Sequence, residues 1–600
     1  MILQALNSYY QRKCADPDPR ERLPDFGFEQ KEIAFVLEIA LDGTPLQLAD
    51  TRTPNDKKKL IARSYCVPQG VKKTSGVAAN LLWDTVEYAL GIDTKGKPER
   101  VVEQHAAFRQ RLHQLPAEVC EDAGVLAVNH FLDQISIGQL QAFAAWPQAL
   151  ESNALVSFKL HGDVELVCQR PAVVRAAQTA TAAGDSPQAM CLVTGLQAPV
   201  ERLHASIKGV WGAQTAGANV VSFNARAFES YGKTERQGEN APVSQTAAFA
   251  YTTALNHLLR RDSRQRVQVG DASTVFWADK PTDAEEFIPG LFSDNPDAGA
   301  DAVSALYKAM HSGQWGGADG DTVMHVLGLS PNAARISIRF YHQKPLTDLG
   351  RDIQQHFTDL DMARGPNDAQ YPSIFRLLTA VAVQNKADNI PPNLGGAIVD
   401  AIFSGPNSPY PALWLNAAVG RSRAEQNVNY LRAAAIKACL NRNIRRQQAD
   451  PLKHSSLLTE KEFQPMLDLT RTDTPYRLGR LFAVLERAQE IANPGINATI
   501  RDRYYGAASS TPVAVFTTLL RLEKAHLKKM PTGQANWIES MIGEVLNPVF
   551  DFPKHLSLPE QGRFALGYYQ QRQFFFTKKP TDADLSAADS TLSQPSGETA

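Results

Sequence analysis

The stretch that decides the fold class is Arg335–His342, which reads RISIRFYH. Apolar and polar side chains alternate along it, and a period of two is typical of a β-strand with two different faces. The residues before it give a mixture of strand and helix patterns. After about residue 345 the apolar residues recur with helical spacing in one segment after another. The sequence therefore predicts an α+β protein, with a mixed α/β N-terminal part followed by an all-α C-terminal helical bundle.

The length of the chain predicts several domains. Six hundred residues exceed what a single hydrophobic core normally serves. A polar segment over 446–462 separates two helical regions, and few contacts need to cross such a segment. We expect four parts: a mixed α/β domain over 1–345, a helical connecting region over 346–465, a helical bundle over 466–577 and a disordered tail over 578–600.

The overall charge is close to neutral, but it is unevenly distributed. The formal net charge is −1, whereas a protein that binds nucleic acid on its own is usually more basic. Residues 56–73 and 421–446 are strongly basic, and residues 279–301 are acidic. Local basic faces on a neutral chain are typical of a protein that contacts nucleic acid at some points and protein at others.

Several classes of protein are disfavoured by simple absences from the sequence. None of the six cysteines forms a CxxC pair, so neither a zinc knuckle nor a disulfide framework is indicated. The first residues do not form a signal peptide, and no run of 18 apolar residues predicts a membrane span. We expect a cytoplasmic protein without a metal, a cofactor or a membrane partner.

A first candidate binding element is the loop Lys72-Lys73-Thr74-Ser75-Gly76, ahead of a helix predicted from Asn80 to Gly91. Lysines and backbone N–H groups before a helix N-terminus are suited to holding a phosphate. A solvated, charged turn explains the same residues. The spacing of a P-loop is absent.

A second candidate lies in the glycine-rich stretch 209–217, which reads GVWGAQTAG, and in the strand predicted over 219–224. Glycines allow a close approach of the backbone, and amide side chains both donate and accept hydrogen bonds. The polar candidates here are Gln214, Thr215, Asn219, Ser222 and Asn224. Trp211 and Tyr231 could stack on bases. The alternatives are a tight turn, an ordinary sheet surface and aromatic rings at the edge of a core.

A third candidate is the cluster Arg442, Arg445 and Arg446, which lies on one side of a predicted helix near its C-terminus. Such a cluster suits the backbone of a single nucleic-acid strand. Compensation of the helix dipole at a solvated helix end explains it equally well.

An enzyme is the rival class, and the sequence offers little for it. The groupings His161/Asp163 and His356/Asp359/Asp361 lack the further ligands of a metal centre, and Glu285-Glu286 lies in an acidic loop. No nucleophile elbow is present. We therefore expect no catalytic residues. A pure protein scaffold fits the helical half but leaves the basic loop unexplained.

Several longer stretches resemble one protein family. They are MILQALNSYY at 1–10, KKTSGVAANLLWDTVEYALG at 72–91, CLVTGLQAPVERLHASIKGVWGAQTAGANVVSFNARAFESYGK at 191–233, NAPVSQTAAFAYTTALNHLL at 240–259, VGDASTVFWA at 269–278 and YRLGRLFAVLERAQ at 476–489. These stretches resemble the large subunit of the type I-C CRISPR Cascade effector. The resemblance covers nearly the whole chain, up to about residue 577.

The resemblance implies a non-enzymatic subunit of an RNA-guided surveillance complex. Such a subunit reads the protospacer-adjacent motif (PAM) on duplex DNA and helps to open the duplex, while the guide reads the sequence by base pairing. The implied partners are the crRNA, double-stranded target DNA with its displaced strand, the handle-binding and backbone Cascade subunits, a small subunit and a helicase-nuclease.

The resemblance also implies roles for the candidate residues. We expect Lys72, Lys73, Ser75 and Asn80 to clamp and read the PAM together with the polar residues of 214–224, because 209–217 resembles in character the glycine loop and glutamine wedge of Cascade large subunits. Arg442, Arg445 and Arg446 would bind the displaced non-target strand. Related genes also yield a free small subunit from an internal start, which predicts a start at Met466; an ordinary linker methionine is the alternative.

Overall fold

The computed structural model describes residues 2–18, 21–54, 60–71, 76–135, 137–182, 186–223, 226–228, 230, 233, 238–292, 320–449 and 460–576. The chain forms two compact units. The first comprises Met1–Ser206 and Val221–His257, and the second comprises Ile207–Val220 and Leu258–Ala600. The segment 207–220 therefore belongs to the second unit although both of its flanking segments belong to the first.

The described elements of the first unit are mostly short. The helices are α1 (Ile2–Cys14), α2 (Val86–Ala89), α3 (Pro98–His113), α4 (Ala117–Cys120), α5 (Ala123–Asp133), α6 (Ile137–Gln141), α7 (Trp146–Glu151), α8 (Pro171–Ala182) and α9 (Gln245–Leu258). The strands are β1 (Phe28–Glu32), β2 (Phe35–Ile39), β3 (Pro45–Asp50), β4 (Thr53–Pro54), β5 (Leu60–Ile61), β6 (Ser64–Pro68), β7 (Trp83–Thr85), β8 (Leu155–Leu160), β9 (Gln188–Met190) and β10 (Gln197–Pro199).

The core of the first unit forms on a four-stranded sheet in the order β3-β2-β8-β7, in which β2 and β8 are parallel. A turn at Asp42-Gly43 connects β2 and β3. Gly43 has a φ of +89°, and a Cβ atom there would lie 2.5 Å from the backbone nitrogen of Phe131. Only glycine satisfies both the dihedral angle and this close approach of helix α5.

The helix predicted from Asn80 to Gly91 is wrong in its start. Residues 83–85 form the short strand β7, and α2 spans only Val86–Ala89. Leu82 adopts a φ of +61°, which breaks any helix at this point. Pairing of β7 with β8 prevails over the helical spacing of the apolar residues.

The second unit combines one sheet with a series of helices. Its described strands are β11 (Arg266–Val269), β12 (Ala272–Ala278), β13 (Val323–Asn332) and β14 (Arg335–Pro345). Its described helices are α10 (Ala284–Leu291), α11 (Leu346–Leu360), α12 (Ile374–Val381), α13 (Leu394–Phe403), α14 (Ala412–Ala424), α15 (Tyr430–Ala449), α16 (Thr474–Ala492), α17 (Ile500–Ala508), α18 (Pro512–Leu527), α19 (Thr532–Leu546) and α20 (Leu558–Phe576).

The predicted strand Arg335–His342 is confirmed as most of β14, which pairs antiparallel with β13. The four strands form an antiparallel meander in the order β11-β12-β13-β14. Phe276, Val326 and Phe340 of this sheet join the core that the helices of the same unit build. The α+β class is confirmed, with an α/β N-terminal region and a helical C-terminal region.

The main core of the helical part is continuous with that of the sheet. A single cluster of buried side chains runs from Val267 in β11 to Tyr569 in α20. By their contacts, the residues from Leu258 onward belong to one compact unit. In the part of the chain that the structure describes, no helix has the length and apolar character needed to cross a membrane.

Helices α16 and α20 approach each other at two glycines. A Cβ atom on Gly479 would lie 2.0 Å from the carbonyl oxygen of Phe564, and one on Gly567 would lie 2.0 Å from that of Tyr476. Around this crossing Tyr476 donates to Gln570 at 2.6 Å, and Tyr568 donates to Glu486 at 2.7 Å. The two backbones are thus in contact, and no other residue type fits at either position.

We predict that Gly479→Ala destabilises the protein by about 1–3 kcal/mol, since the added methyl group meets fixed backbone. The matched control is Gly543→Ala in α19, where a Cβ atom meets open space. It should stabilise the protein by roughly 0.5–1 kcal/mol, because alanine is the better helix former. Thermal and urea unfolding of both variants measure the effect. Equal midpoints for the two variants would contradict the crossing.

Candidate nucleic-acid interface

The glycine-rich segment forms a closed loop on the second unit, here called the glycine loop (Lys208–Gly217). Its base is a two-residue antiparallel bridge, in which Ile207 and Ala218 exchange backbone hydrogen bonds of 2.8 and 2.9 Å. Both residues are buried. The next residue, Asn219, continues onto the sheet: its N–H donates to Ala334 at 3.2 Å, and its carbonyl accepts from Ile336 at 3.0 Å. The loop is therefore tied to the beginning of β14.

Two glycines set the path of the glycine loop. Gly209 has a φ of +84°, and a Cβ atom there would lie 2.5 Å from the carbonyl oxygen of Leu259. Gly212 has a φ of +75°, and its Cβ position lies 3.2 Å from the ring of Pro331. Both positions combine a left-handed backbone with a close neighbour, so they require glycine. The tight-turn interpretation of these glycines is therefore correct for the backbone.

The tip of the glycine loop carries the polar side chains. Gln214 and Thr215 are exposed, and the carbonyl of Gln214 accepts from Gly217 at 2.8 Å. The exposed Gln214 thus lies in a turn that its own backbone carbonyl helps to close. An exposed amide on a fixed turn can both donate to and accept from a base edge.

The remaining residues of this candidate do not form the strand that the sequence predicted. The pattern over 219–224 suggested that Ser222 and Asn224 share a face, but regular pairing stops at Asn219. Asn219 and Ser222 are both half-buried. Asn224 and Tyr231 lie outside the described residues. From Val221 onward the chain belongs to the first unit.

The basic loop of the first unit is only partly described. Lys72, Lys73 and Ser75 lie outside the described residues. Asn80 is 5% exposed; its side-chain oxygen accepts from the N–H of Val71 at 3.0 Å, and its own N–H donates to Asp84 at 2.9 Å. Asn80 therefore holds the end of the loop rather than facing solvent. The basic loop and the glycine loop belong to different units, and each is considered by itself.

The arginine cluster is divided by the structure. Arg442 is 0% exposed, and its guanidinium donates to Asp359 at 2.9 Å and to the carbonyls of Ala401 and Ser408. Its carbon atom Cζ lies 4.1 Å from the centre of the Tyr410 ring. A buried guanidinium with these partners is not available to a phosphate. The expectation that Arg442 binds the displaced strand is corrected: it is a core residue.

Arg445 is mostly buried and paired with carboxylates, whereas Arg446 is exposed. Arg445 pairs with Asp359 and with Glu462 at 3.0 Å, and its side chain is 13% exposed. Arg446 is exposed, as are the residues that follow it to the end of α15. Helix α15 thus passes from the core to the surface within this cluster. Arg442 is buried, Arg445 is partly buried and Arg446 is exposed.

The His356/Asp359 pair, considered as a possible catalytic group, belongs to the same buried network. The ring nitrogen Nδ1 of His356 lies 2.6 Å from the hydroxyl of Tyr410. Burial, with a smaller contribution from the Arg442 charge, lowers the pKa of His356 to about 3. Burial also lowers the pKa of Lys437, whose ammonium donates to the carbonyl of Asp359, to about 8. These groups serve the packing of α11 against α15.

No metal centre is evident among the described residues, where no group of three His, Cys, Asp or Glu side chains could hold an ion. Glu285, from the acidic loop, accepts from the N–H of Ala278 at 2.8 Å and is buried. Its carboxylate anchors the end of β12, and the residue lies in helix α10 rather than in a loop.

The structure also shows a basic surface that sequence reasoning missed. Arg521 and Lys524 are exposed on α18, and the exposed Lys528 and Lys529 follow the end of this helix. The spacing of three and four residues places Arg521, Lys524 and Lys528 on one side. That spacing is visible in the sequence, but the apolar residues between these cations indicate only that the helix packs. This basic face of α18 is a candidate for contact with a polyanion.

A known protein family matches the chain over nearly its whole length. A family model described as CRISPR-associated protein (Cas_Csd1) matches residues 6–576. The chain is thus a CRISPR-associated protein, a component of an RNA-guided Cascade effector. It belongs to the Csd1 family, the large subunits of the type I-C effector. No curated protein matches the chain.

We predict different stability effects for two neighbouring arginines. Arg442→Ala leaves Asp359 without its main buried partner and should cost about 3–5 kcal/mol. Arg446→Ala removes an exposed side chain and should leave the unfolding midpoint unchanged. Urea unfolding followed by circular dichroism measures both. A stable Arg442→Ala variant would show that its guanidinium is not needed in the core.

Proposed function

We propose that this chain is a non-catalytic Cascade subunit that recognises the PAM in double-stranded DNA, helps to open the duplex and stabilises the R-loop. It would thereby enable recruitment of a helicase-nuclease. The observation that carries the proposal is the glycine loop, whose backbone is fixed on the sheet while Gln214 and Thr215 project from its tip. Family membership supplies the setting in which such a loop meets DNA.

The geometry suits groove reading for a physical reason. Base edges present donors and acceptors at fixed positions, so a reader must hold its own donors and acceptors still. The positive-φ glycines and the bridge at Ile207 and Ala218 supply that rigidity. Lysines such as Lys72 and Lys73 would hold phosphates without reading sequence. In this division of labour the guide reads the protospacer by pairing, and the protein reads only the short motif.

The absence of catalysis is part of the proposal. The groups that the sequence offered for an active site are engaged elsewhere: Asp359 pairs with two arginines, and His356 is buried against Tyr410. Cleavage would fall to the recruited helicase-nuclease. The displaced strand would lie along exposed cations of the helical part, namely Arg446 and the basic face of α18.

We predict that Gln214→Ala weakens discrimination between good and poor PAMs by about 1–3 kcal/mol, if the amide contacts a base edge in two places. Lys72→Ala or Lys73→Ala should instead weaken binding to all duplexes and lower the salt dependence by about one unit for each lysine–phosphate pair removed. Filter binding of the assembled effector to PAM-bearing and PAM-lacking DNA at several salt concentrations measures both effects.

The matched control for this experiment is Gln534→Ala, which removes another exposed glutamine from α19 of the same unit. It should change neither quantity. Equal losses on all sequences for the Gln214 and lysine variants would contradict the assignment of a reader. An effector that binds PAM-lacking DNA as tightly as PAM-bearing DNA would contradict the function itself.

The C-terminal bundle would also be made separately, as a small subunit that starts at Met466. The Met466 side chain is 51% exposed in an irregular segment before α16, so a chain could begin there without interrupting a helix or a strand. Such a product would lack Phe463, on which the Arg471 guanidinium lies at 3.6 Å. It would also lack α14 and α15, which cover Gly562 of α20 through Leu415 and Ile436. The free product would therefore be less stable than the same residues in the full chain.

We predict that a Met466→Ala codon change abolishes a short product of residues 466–600 and reduces R-loop formation by the effector. The full chain should fold normally, because the Met466 side chain is half exposed. Mass spectrometry of the purified effector detects the product, and footprinting of the displaced strand measures the R-loop. The short product supplied separately should restore R-loop formation. Absence of the product from the unchanged gene, or equal R-loops without it, would contradict this proposal.

A further inference from the structure

Trp211 is the most unusual side chain of the glycine loop. Tryptophan is highly buried on average, yet Trp211 is 64% exposed. It lies between Val210, which is 5% exposed, and Gly212, which contacts Pro331. The sequence left open whether this ring closes the edge of a core, and the exposure rules that out.

The backbone beneath Trp211 is firmly held. Its N–H donates to the hydroxyl of Ser273 at 3.0 Å, and that hydroxyl in turn donates to the side chain of Gln268 at 2.8 Å. Ser273 is fully buried within β12. This hydrogen bond and the burial of the neighbouring Val210 side chain hold the backbone of Trp211 in place. The indole is therefore presented to solvent by a rigid support.

Basic residues lie on the loop and beside it. Lys208 is exposed at the start of the loop, and at its end the backbone of Arg335 forms a β-bridge with that of Asn219. Arg339 donates to Ser330, next to the Pro331 that contacts Gly212, and its guanidinium lies 3.9 Å from Asp271. Three basic residues thus lie along the loop and the adjoining end of the sheet, and such a grouping favours contact with a polyanion.

We propose that the Trp211 indole stacks on the nucleobase that becomes unpaired when the duplex opens beside the PAM, and so holds the opened end apart. The inference rests on the proposed function and assigns the opening step to one residue. A flat aromatic ring accepts any base, because every base has a π-face, and this suits a position where the sequence varies between targets. Lys208 and Arg335 would bind the flanking phosphates.

The test uses the effector assembled on its crRNA and a target duplex that carries 2-aminopurine at the first protospacer position. Its fluorescence reports the opening of that base pair. We compare Trp211→Ala with the conservative Trp211→Phe and with the control Phe550→Ala, which removes an aromatic ring that is 100% exposed elsewhere in the same unit. Each effector is also given a duplex in which the first few protospacer pairs are mismatched and already open.

We expect Trp211→Ala to slow the opening of paired DNA by about 10-fold, since stacking on the ring is removed. Trp211→Phe should keep most of the rate, and Phe550→Ala all of it. On the pre-opened duplex Trp211→Ala should match the unchanged effector. Normal opening of paired DNA by Trp211→Ala, or an equal defect on pre-opened DNA, would overturn the inference. Loss of a subunit from the Trp211→Ala effector would overturn it in favour of a protein contact.

The failure of the inference can be told apart from that of the proposed function. If the unchanged effector opens PAM-bearing and PAM-lacking duplexes equally fast, PAM recognition fails whatever Trp211 does. If PAM dependence is intact and Trp211→Ala opens DNA normally, only the role of Trp211 fails.

Discussion

The second unit depends on the crossing of α16 and α20, where Gly479 and Gly567 bring two helix backbones into direct contact. The crossing places Phe482, Phe564 and Tyr568 in one aromatic cluster. Helix α20 then packs on α14 and α15, and through α11 and α13 the core reaches the sheet. The glycine loop is tied to that sheet, so the candidate DNA-reading surface and the C-terminal bundle rest on one continuous core.

The class of the fold could be predicted from the sequence because its signals are local. Alternation over Arg335–His342 and helical spacing after residue 345 report directly on which side of an element is buried. Which elements share a core is not a local signal, because it depends on contacts between residues that are distant in the sequence. Leu82 shows the same limit within one segment: pairing of β7 with β8 overrides an apolar spacing that favours a helix.

The candidate site could be predicted only in part, for a related reason. Glycines with a positive φ and exposed amides were recognisable in the stretch 209–217, and the structure places them in one loop. A cluster of arginines in the sequence does not reveal which of them faces a buried carboxylate. Arg442 and Arg446 are one turn of helix apart. Of the two, only Arg442 pairs with the buried Asp359, which is distant in the chain.

In the glycine loop, the contacts that fix the backbone are different from the side chains that are exposed at the tip. Its path is set by glycines, by the bridge at its base and by the hydrogen bond to Ser273, none of which involves the side chains of Gln214 or Thr215. Substitutions at the tip should therefore change the free energy of unfolding little, as is usual for exposed positions. Under the proposed function the consequence is evolvability: substitutions at these two positions would give a route to a new specificity that leaves the architecture intact.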